Sequence, residues 1–193
     1  MSIDLPGFAD PVSGAQTCFR AVLDAMARPG SLHAAGQGLT PPAPLDPATA
    51  AVLLTLVDAD TTLATDAACA PARDWLAFHC GAPLAADPAA AAFVLATALP
   101  DLATLRAGTD EGPEEAATLV LQVAALGRGA ALRLAGPGLR TPATLRVEGL
   151  PEGFASAWAR NHALFPRGVD IILCAGDQLA ALPRSVAITE EAS

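Results

Sequence analysis

Thr118-Leu119-Val120-Leu121-Gln122-Val123 and Val169-Asp170-Ile171-Ile172-Leu173-Cys174 are the stretches on which the fold turns. Each is short, nearly continuous in apolar residues and rich in Leu, Ile and Val, the pattern of a strand buried on both faces. Phe93–Ala96 and Thr61–Thr65 are read as strands as well, with helical segments between them. Asp10-Pro11 and Ser13 supply N-cap chemistry for a first helix, and Pro29-Gly30 stops it. Ala15, Phe19, Val22, Leu23 and Met26 recur at helical spacing and are its predicted buried face. Ser31–Ala35 reads as a short strand and Thr40–Pro44 as a proline-rich loop. A second helix runs from Asp46-Pro47 to Val57, with Val52, Leu53, Leu56 and Val57 inward. Pro71 suits the first turn of a helix carrying Trp75, Leu76 and Phe78 to about His79.

Farther along, Leu99–Leu105 is a predicted helical turn and Ala107–Glu115 a polar loop. Ala131–Ala135 and Thr144–Val147 bracket Gly136-Pro137-Gly138, the pattern of a hairpin. A helix is predicted over Glu152–Ala163. Gly176-Asp177 turns the chain into Gln178–Leu182, and Val186–Ile188 adds an edge. Helices interleaved with short apolar strands predict an α/β fold with a mixed sheet covered on both faces, one domain over residues 1–193.

The 193 residues include 11 basic and 20 acidic side chains, a net charge of −9. That balance argues against a nucleic-acid binder, which needs a clustered basic face. Alanine accounts for 46 residues, so the 52% hydrophobic content contains fewer bulky groups than it suggests. All 11 basic residues are arginine, and there is no tyrosine. Without a lysine, neither an internal aldimine with pyridoxal phosphate nor a Walker-type phosphate loop can form. Met1–Gly7 lacks the basic and apolar regions of a signal peptide. The longest apolar runs, such as Pro88–Pro100, are far short of the ~20 residues of a membrane helix. Cys18, Cys69, Cys80 and Cys174 are scattered with no C-x-x-C pair, which predicts reduced, buried thiols. These features together read as a cytoplasmic chain with no membrane or nucleic-acid partner.

Candidate chemistry is sparse. Gly136-Pro137-Gly138 offers backbone amides to a phosphate, or simply closes a hairpin; a dinucleotide fingerprint would need glycine where Thr141 stands. Asp58 and Asp60 are spaced to share a proton or a cation, or to cap the turn they sit in. His79 is placed to act as a general acid or base, or to be held by the dipole at a helix end. With His33 and His162 it makes no metal-binding spacing, so no metal is expected. Arg28 and Arg184 are the candidate anion ligands, since a guanidinium pairs bidentately with phosphate or phosphonate oxygens; internal ion pairs are the other reading. No nucleophile with its base is visible. Among the few aromatic side chains, Phe8, Trp75, Phe78, Phe154, Trp158 and Phe165 are the candidate contact anchors. Trp158 beside Arg160, with the flank to Phe165, is the predicted subunit contact, unless Trp158 packs its helix on the sheet.

Several stretches together resemble the PhnH family, one of the components of the bacterial carbon–phosphorus lyase system. They are Gln16-Thr17-Cys18-Phe19-Arg20, Asp24-Ala25-Met26-Ala27-Arg28-Pro29-Gly30 and Leu53 through Thr61. Phe78-His79-Cys80-Gly81-Ala82-Pro83, Leu105-Arg106-Ala107-Gly108-Thr109 and Leu132 through Gly138 continue the likeness. Phe165-Pro166-Arg167-Gly168-Val169-Asp170 and Leu182-Pro183-Arg184 complete it. The resemblance implies a three-layer α/β sandwich like the large domain of pyridoxal-phosphate (PLP) transferases, without the cofactor. It implies an accessory subunit and a homodimer. Subunits G, I and J are its core partners, and G, I and the ATPase-like L its partners in displacing adenine from ATP by a phosphonate. The product is a ribose 1-phosphonate 5-triphosphate. The family's catalytic residues are placed on the I component, so none carries over to this chain. The alternatives are an independent small-molecule enzyme using Arg28, His79 and Arg184 on a phosphorylated substrate, and a purely structural dimer.

Overall fold

Val120 points to one side of its strand while Leu119 and Leu121 point to the other, and that alternation organises the molecule. In the computed structural model, which describes residues 4–190, two sheets and four helices form. Met1, Ser2 and Ile3, which open the stretch read for a targeting signal, lie outside the described residues, as do residues 191–193. The larger sheet uses β1 (His33–Ala34), β2 (Leu63–Thr65), β3 (Phe93–Ala96), β4 (Thr118–Gln122), β7 (Asp170–Ala175) and β8 (Gln178–Leu182). Their order is β1-β8-β7-β4-β3-β2, with β2, β3, β4 and β7 parallel and β8 antiparallel to both of its neighbours. The fold is therefore α/β with a mixed sheet.

Leu95, Val120, Ile172 and Ala181 lie in one register row across β3, β4, β7 and β8. They face the helices α1 (Pro11–Ala27), α2 (Pro47–Leu56) and α3 (Arg73–Cys80). Val94, Leu119, Ile171 and Leu182 form the row on the opposite face. That face is covered by α4 (Phe154–His162) and by a second sheet of β5 (Ala125–Ala135), β6 (Ala143–Glu148) and β9 (Ala187–Glu190), ordered β6-β5-β9. The chain thus forms three layers, but the predicted hairpin and its edge strand build a sheet of their own instead of extending the first. Strand β5 also begins earlier than predicted. Its Leu126 and Ala130 both pair with Val147, a bulge with Gly127 and Gly129 at positive φ. A Cβ at Gly129 would stand 2.6 Å from Val147 O, so the bulge needs glycine there.

Helix α1 starts where Asp10 caps it. Its carboxylate accepts from Val12 N at 3.1 Å, Ser13 N at 3.2 Å and Ser13 Oγ at 2.7 Å, a cap worth about 1 kcal/mol. The buried face differs from the predicted one. Cys18, Ala21, Val22 and Ala25 face inward, whereas Phe19 and Leu23 are 47% and 52% exposed. Small side chains let α1 lie close on α2 and β8, leaving no room for the larger pair. Helix α2, by contrast, is enclosed along Ala48–Leu53; of its predicted inward residues Val52, Leu53 and Val57 are buried, whereas Leu56 is only partly so. The predicted turn at Leu99–Leu105 is a short 3-10 turn at Leu102–Thr104. No helix of the described residues is long and apolar enough to cross a membrane.

Candidate functional site

Gly136-Pro137-Gly138 closes the β5–β6 hairpin against the end of α1. A Cβ at Gly138 would lie 2.3 Å from Ala27 O and 3.2 Å from Pro29 Cδ, and its φ is +85°, so only glycine fits the approach. On the other side Gly136 backs onto Ser185 O and Val186. The turn is therefore a packed joint. Arg28 caps α1 here, and its guanidinium pairs with Asp24 one helical turn back. Both groups are exposed, an arrangement that contributes little to stability. Its carbonyl accepts from Ser31 Oγ at 2.6 Å, and Ser31 Oγ lies 2.8 Å from His33 Nε2.

This Ser31–His33 pair was not singled out from the sequence, although the predicted strand Ser31–Ala35 would have put both residues on one face; the strand that forms is only His33–Ala34. Its chemistry is limited. A hydroxyl has one proton, and a carbonyl can only accept, so that proton goes to Arg28 O. His33 Nε2 then donates to Ser31 instead of taking its proton. Among the described residues no carboxylate orients His33, and the arrangement is not an activated nucleophile.

Arg184 sits at the end of β8 and is committed to the fold. Its Nε is 3.1 Å from both Asp170 oxygens, its Nη2 2.5 Å from Oδ2, and its Nη1 donates to Pro113 O at 2.6 Å. The backbone N of Arg184 also donates to Asp170 Oδ1, and its carbonyl meets His162 Nδ1 at 2.8 Å. The two side chains are 14% and 20% exposed. This clamp ties β7, β8, α4 and the loop at Pro113 into one corner, and each of the three guanidinium nitrogens already has a protein partner.

His79 holds the amino-terminal arm. His79 Nε2 and Trp75 Nε1 both reach Leu5 O, at 3.1 and 2.8 Å, and the two rings are 4.7 Å apart. Asp58 caps its own turn through Asp60 N at 3.0 Å and Thr61 Oγ1 at 3.1 Å. Asp60 stands exposed in the same turn. Among the described residues no hydrogen bond or ion pair joins Arg28, His79 and Arg184 to one another or to Asp58 and Asp60, which share one turn. Among the described residues no group of three or more His, Cys, Asp or Glu could hold a metal ion.

Trp158 is a correction to the predicted subunit contact. It is fully buried, donates from Nε1 to Val186 O at 2.7 Å and stacks on Phe154 at 6.4 Å. It packs α4 onto the sheet, the second of the two roles its position in the sequence allowed. Arg160 and Phe165 are exposed.

A polar knot at the far end of the parallel strands has no sequence signal, because its members are distant in the chain. Asp66 follows β2 and accepts from Thr97 N, Thr97 Oγ1 and Cys69 N at 2.7, 2.9 and 2.9 Å. Partial burial raises the carboxyl's pKa, but these hydrogen bonds outweigh it and hold it below the usual carboxylate range. Nearby, Gln122 Oε1 accepts from Asp46 N and Thr49 Oγ1, both at 2.8 Å, and Asp46 Oδ2 accepts from Gly176 N at 2.8 Å. These bonds cross-link the carboxyl ends of the parallel strands, the edge where α/β folds commonly bind ligands. All four cysteines are free and buried, and burial pushes Cys69 up to about 12 and Cys80 to about 11, which leaves no thiolate nucleophile near neutral pH.

Residues 6–189 match the family model described as "Bacterial phosphonate metabolism protein (PhnH)". The chain belongs to the PhnH family. It is 40% identical over 189 residues to a Rhizobium meliloti (strain 1021) protein named "Alpha-D-ribose 1-methylphosphonate 5-triphosphate synthase subunit PhnH", covering 95% of this chain and 94% of that one. It is also 36% identical over 174 residues to a Stutzerimonas stutzeri protein named "Putative C-P lyase subunit protein HtxG", covering 90% of this chain and 85% of that one. Five of the stretches that carried the resemblance to PhnH meet in space in two groups. Arg28-Pro29-Gly30 joins Gly136-Pro137-Gly138, and Gly168 N donates to Ala107 O at 2.8 Å beside the Arg184–Asp170 clamp.

Proposed function

We propose that this protein is an accessory subunit of the carbon–phosphorus lyase machinery, supporting formation of a ribose 1-phosphonate 5-triphosphate from ATP and an alkylphosphonate. The observation that carries the reading is the 40% identity, over nearly the whole of both chains, with a protein named as a subunit of that synthase. The geometry supports a role without catalysis of its own. Arg184 and His79 are occupied by structural partners, and the Ser31 hydroxyl spends its proton on a backbone carbonyl. The independent-enzyme alternative lacks the assembled nucleophile and base that it requires.

On this reading the partners are subunits G, I and J, with L joining for the exchange on ATP, and the protein is a cytoplasmic homodimer. Arg160 and Phe165 remain contact candidates, and the exposed Val12, Phe19 and Leu23 on α1 offer an apolar face for assembly. The fold is read as that of the large domain of PLP-dependent transferases with its cofactor chemistry gone. The absence of any lysine supports this, since no side-chain amine can form the aldimine. Expression of the tagged chain with subunits G, I, J and L tests the proposal. The expected result is a stable co-purifying complex that releases adenine from ATP and methylphosphonate, and no release by this chain alone. Adenine release by the isolated chain at the rate of the complex would overturn it.

A further inference from the structure

Between α4 and the Leu102–Thr104 turn lies a cleft of about 190 Å³. Leu102, Ala157 and Leu164 supply apolar wall, and Asp101, Arg160 and Asn161 supply the polar lining. Asn161 is held in place by the backbone. It is buried, and its amide is used in both directions by Val169, with Nδ2 to O and N to Oδ1 each at 2.8 Å. Asp101 uses Oδ1 to cap the turn through Ala103 N at 3.1 Å, while its second oxygen has no partner among the described residues. Arg160 is exposed and makes no ion pair or hydrogen bond among them. The two opposite charges line one cleft without pairing to each other.

That arrangement selects for charge type. An anion alone would gain Arg160 but meet the Asp101 carboxylate, and a cation alone would meet the reverse. A molecule carrying both charges gains both contacts, each strengthened by the apolar wall beside it. The volume falls below the roughly 300–1,000 Å³ of sites for drug-sized ligands and suits a small molecule. We propose that this cleft binds a small zwitterion: an ammonium group on Asp101, a phosphonate or carboxylate on Arg160, and a short alkyl linker against Leu102 and Leu164. The choice of a phosphonate as one probe rests on the assembly reading; the site itself is tested on the isolated chain, where Arg160 meets no other subunit.

Calorimetric titration of the full chain with 2-aminoethylphosphonate, β-alanine, ethylphosphonate and propylamine tests the proposal. At least one of the two zwitterions is expected to bind ten-fold or more tightly than either singly charged probe, and the stronger of the two identifies the anionic head. Arg160→Gln and Asp101→Asn are each expected to weaken that binding at least ten-fold with an unchanged thermal midpoint, since asparagine also caps a turn. Equal affinity for ethylphosphonate and 2-aminoethylphosphonate, indifference to both substitutions, or no saturable binding of any zwitterion would overturn the site. The probe series uses the unsubstituted chain, so it decides even where a variant folds poorly. Assembly with subunits G, I and J is scored separately by co-purification, so loss of the cleft and loss of the accessory role give different results.

Discussion

Replacing Trp158 with alanine removes the largest side chain that α4 contributes to the core. The indole is fully buried, stacked on Phe154 and hydrogen-bonded to Val186 O at 2.7 Å. Truncating a buried aromatic to alanine costs about 3–5 kcal/mol in transfer and cavity terms. The Val186 carbonyl also loses its donor, a further loss of about 1–3 kcal/mol if no water replaces it. For a chain of this length each kcal/mol lowers the midpoint by roughly 2–4 °C, so Trp158→Ala should melt about 8–32 °C lower. Trp158→Phe keeps the stacking and loses the N–H donor, so it should fall by only about 1–3 kcal/mol. Circular dichroism melts at matched concentration are the assay. A Trp158→Ala midpoint within about 3 °C of the parent, together with a weakened assembly, would refute the core assignment and restore Trp158 as a contact residue.

Other substitutions check the remaining corners of the molecule. Arg184→Met strands the poorly exposed Asp170 carboxylate and should cost about 3–5 kcal/mol by urea denaturation. Pairing it with Asp170→Leu should recover part of that loss, and a double variant worse than the single would contradict the clamp. Phe19→Ser with Leu23→Ser should change stability by under about 0.5 kcal/mol each, because both side chains already face solvent; a large loss would show that the outer face of α1 is covered. Asp66 has a depressed folded pKa, so its stabilisation is present above its unfolded value of 3.8 and is lost as pH falls through the lower folded value. Asp66→Asn should therefore flatten the decline of stability with acid below about pH 4, and an unchanged acid limb would remove Asp66 from that account.

Much of the fold was legible because single stretches declared themselves. β3 was predicted at its observed bounds, and β4, β7, α1 and α2 to within a residue or two, from continuous apolar runs, a capping Asp10 and a stopping Pro29-Gly30. The site was less legible. The Ser31–His33 pair is local, two residues apart, whereas Asp66 with Thr97 and Arg184 with Asp170 are joined, and Asp101 and Arg160 brought to one cleft, by folding and by nothing local. Arg28 and Arg184 looked alike in sequence, each an arginine after an element's end. In the structure one lies on the surface beside Asp24 and the other is locked in a corner.

By itself the sequence determined the alternation of helix and strand, the family, the impossibility of a lysine aldimine, and the hairpin turn at Gly136-Pro137-Gly138. These depend on residue type and local spacing, which the linear chain displays directly. Tertiary structure alone decided which side of α1 is buried, that the hairpin and β9 form a separate sheet, and that Trp158 is core. Periodicity shows that a helix has an apolar stripe, but not how near its neighbour can come. Ala21 and Ala25 let α1 approach closely, and that approach turned Phe19 and Leu23 outward although they are the more hydrophobic pair. Charge behaves the same way: a guanidinium's role depends on the carboxylate brought to it from elsewhere in the chain, as Asp170 is brought to Arg184 when β7 and β8 pair.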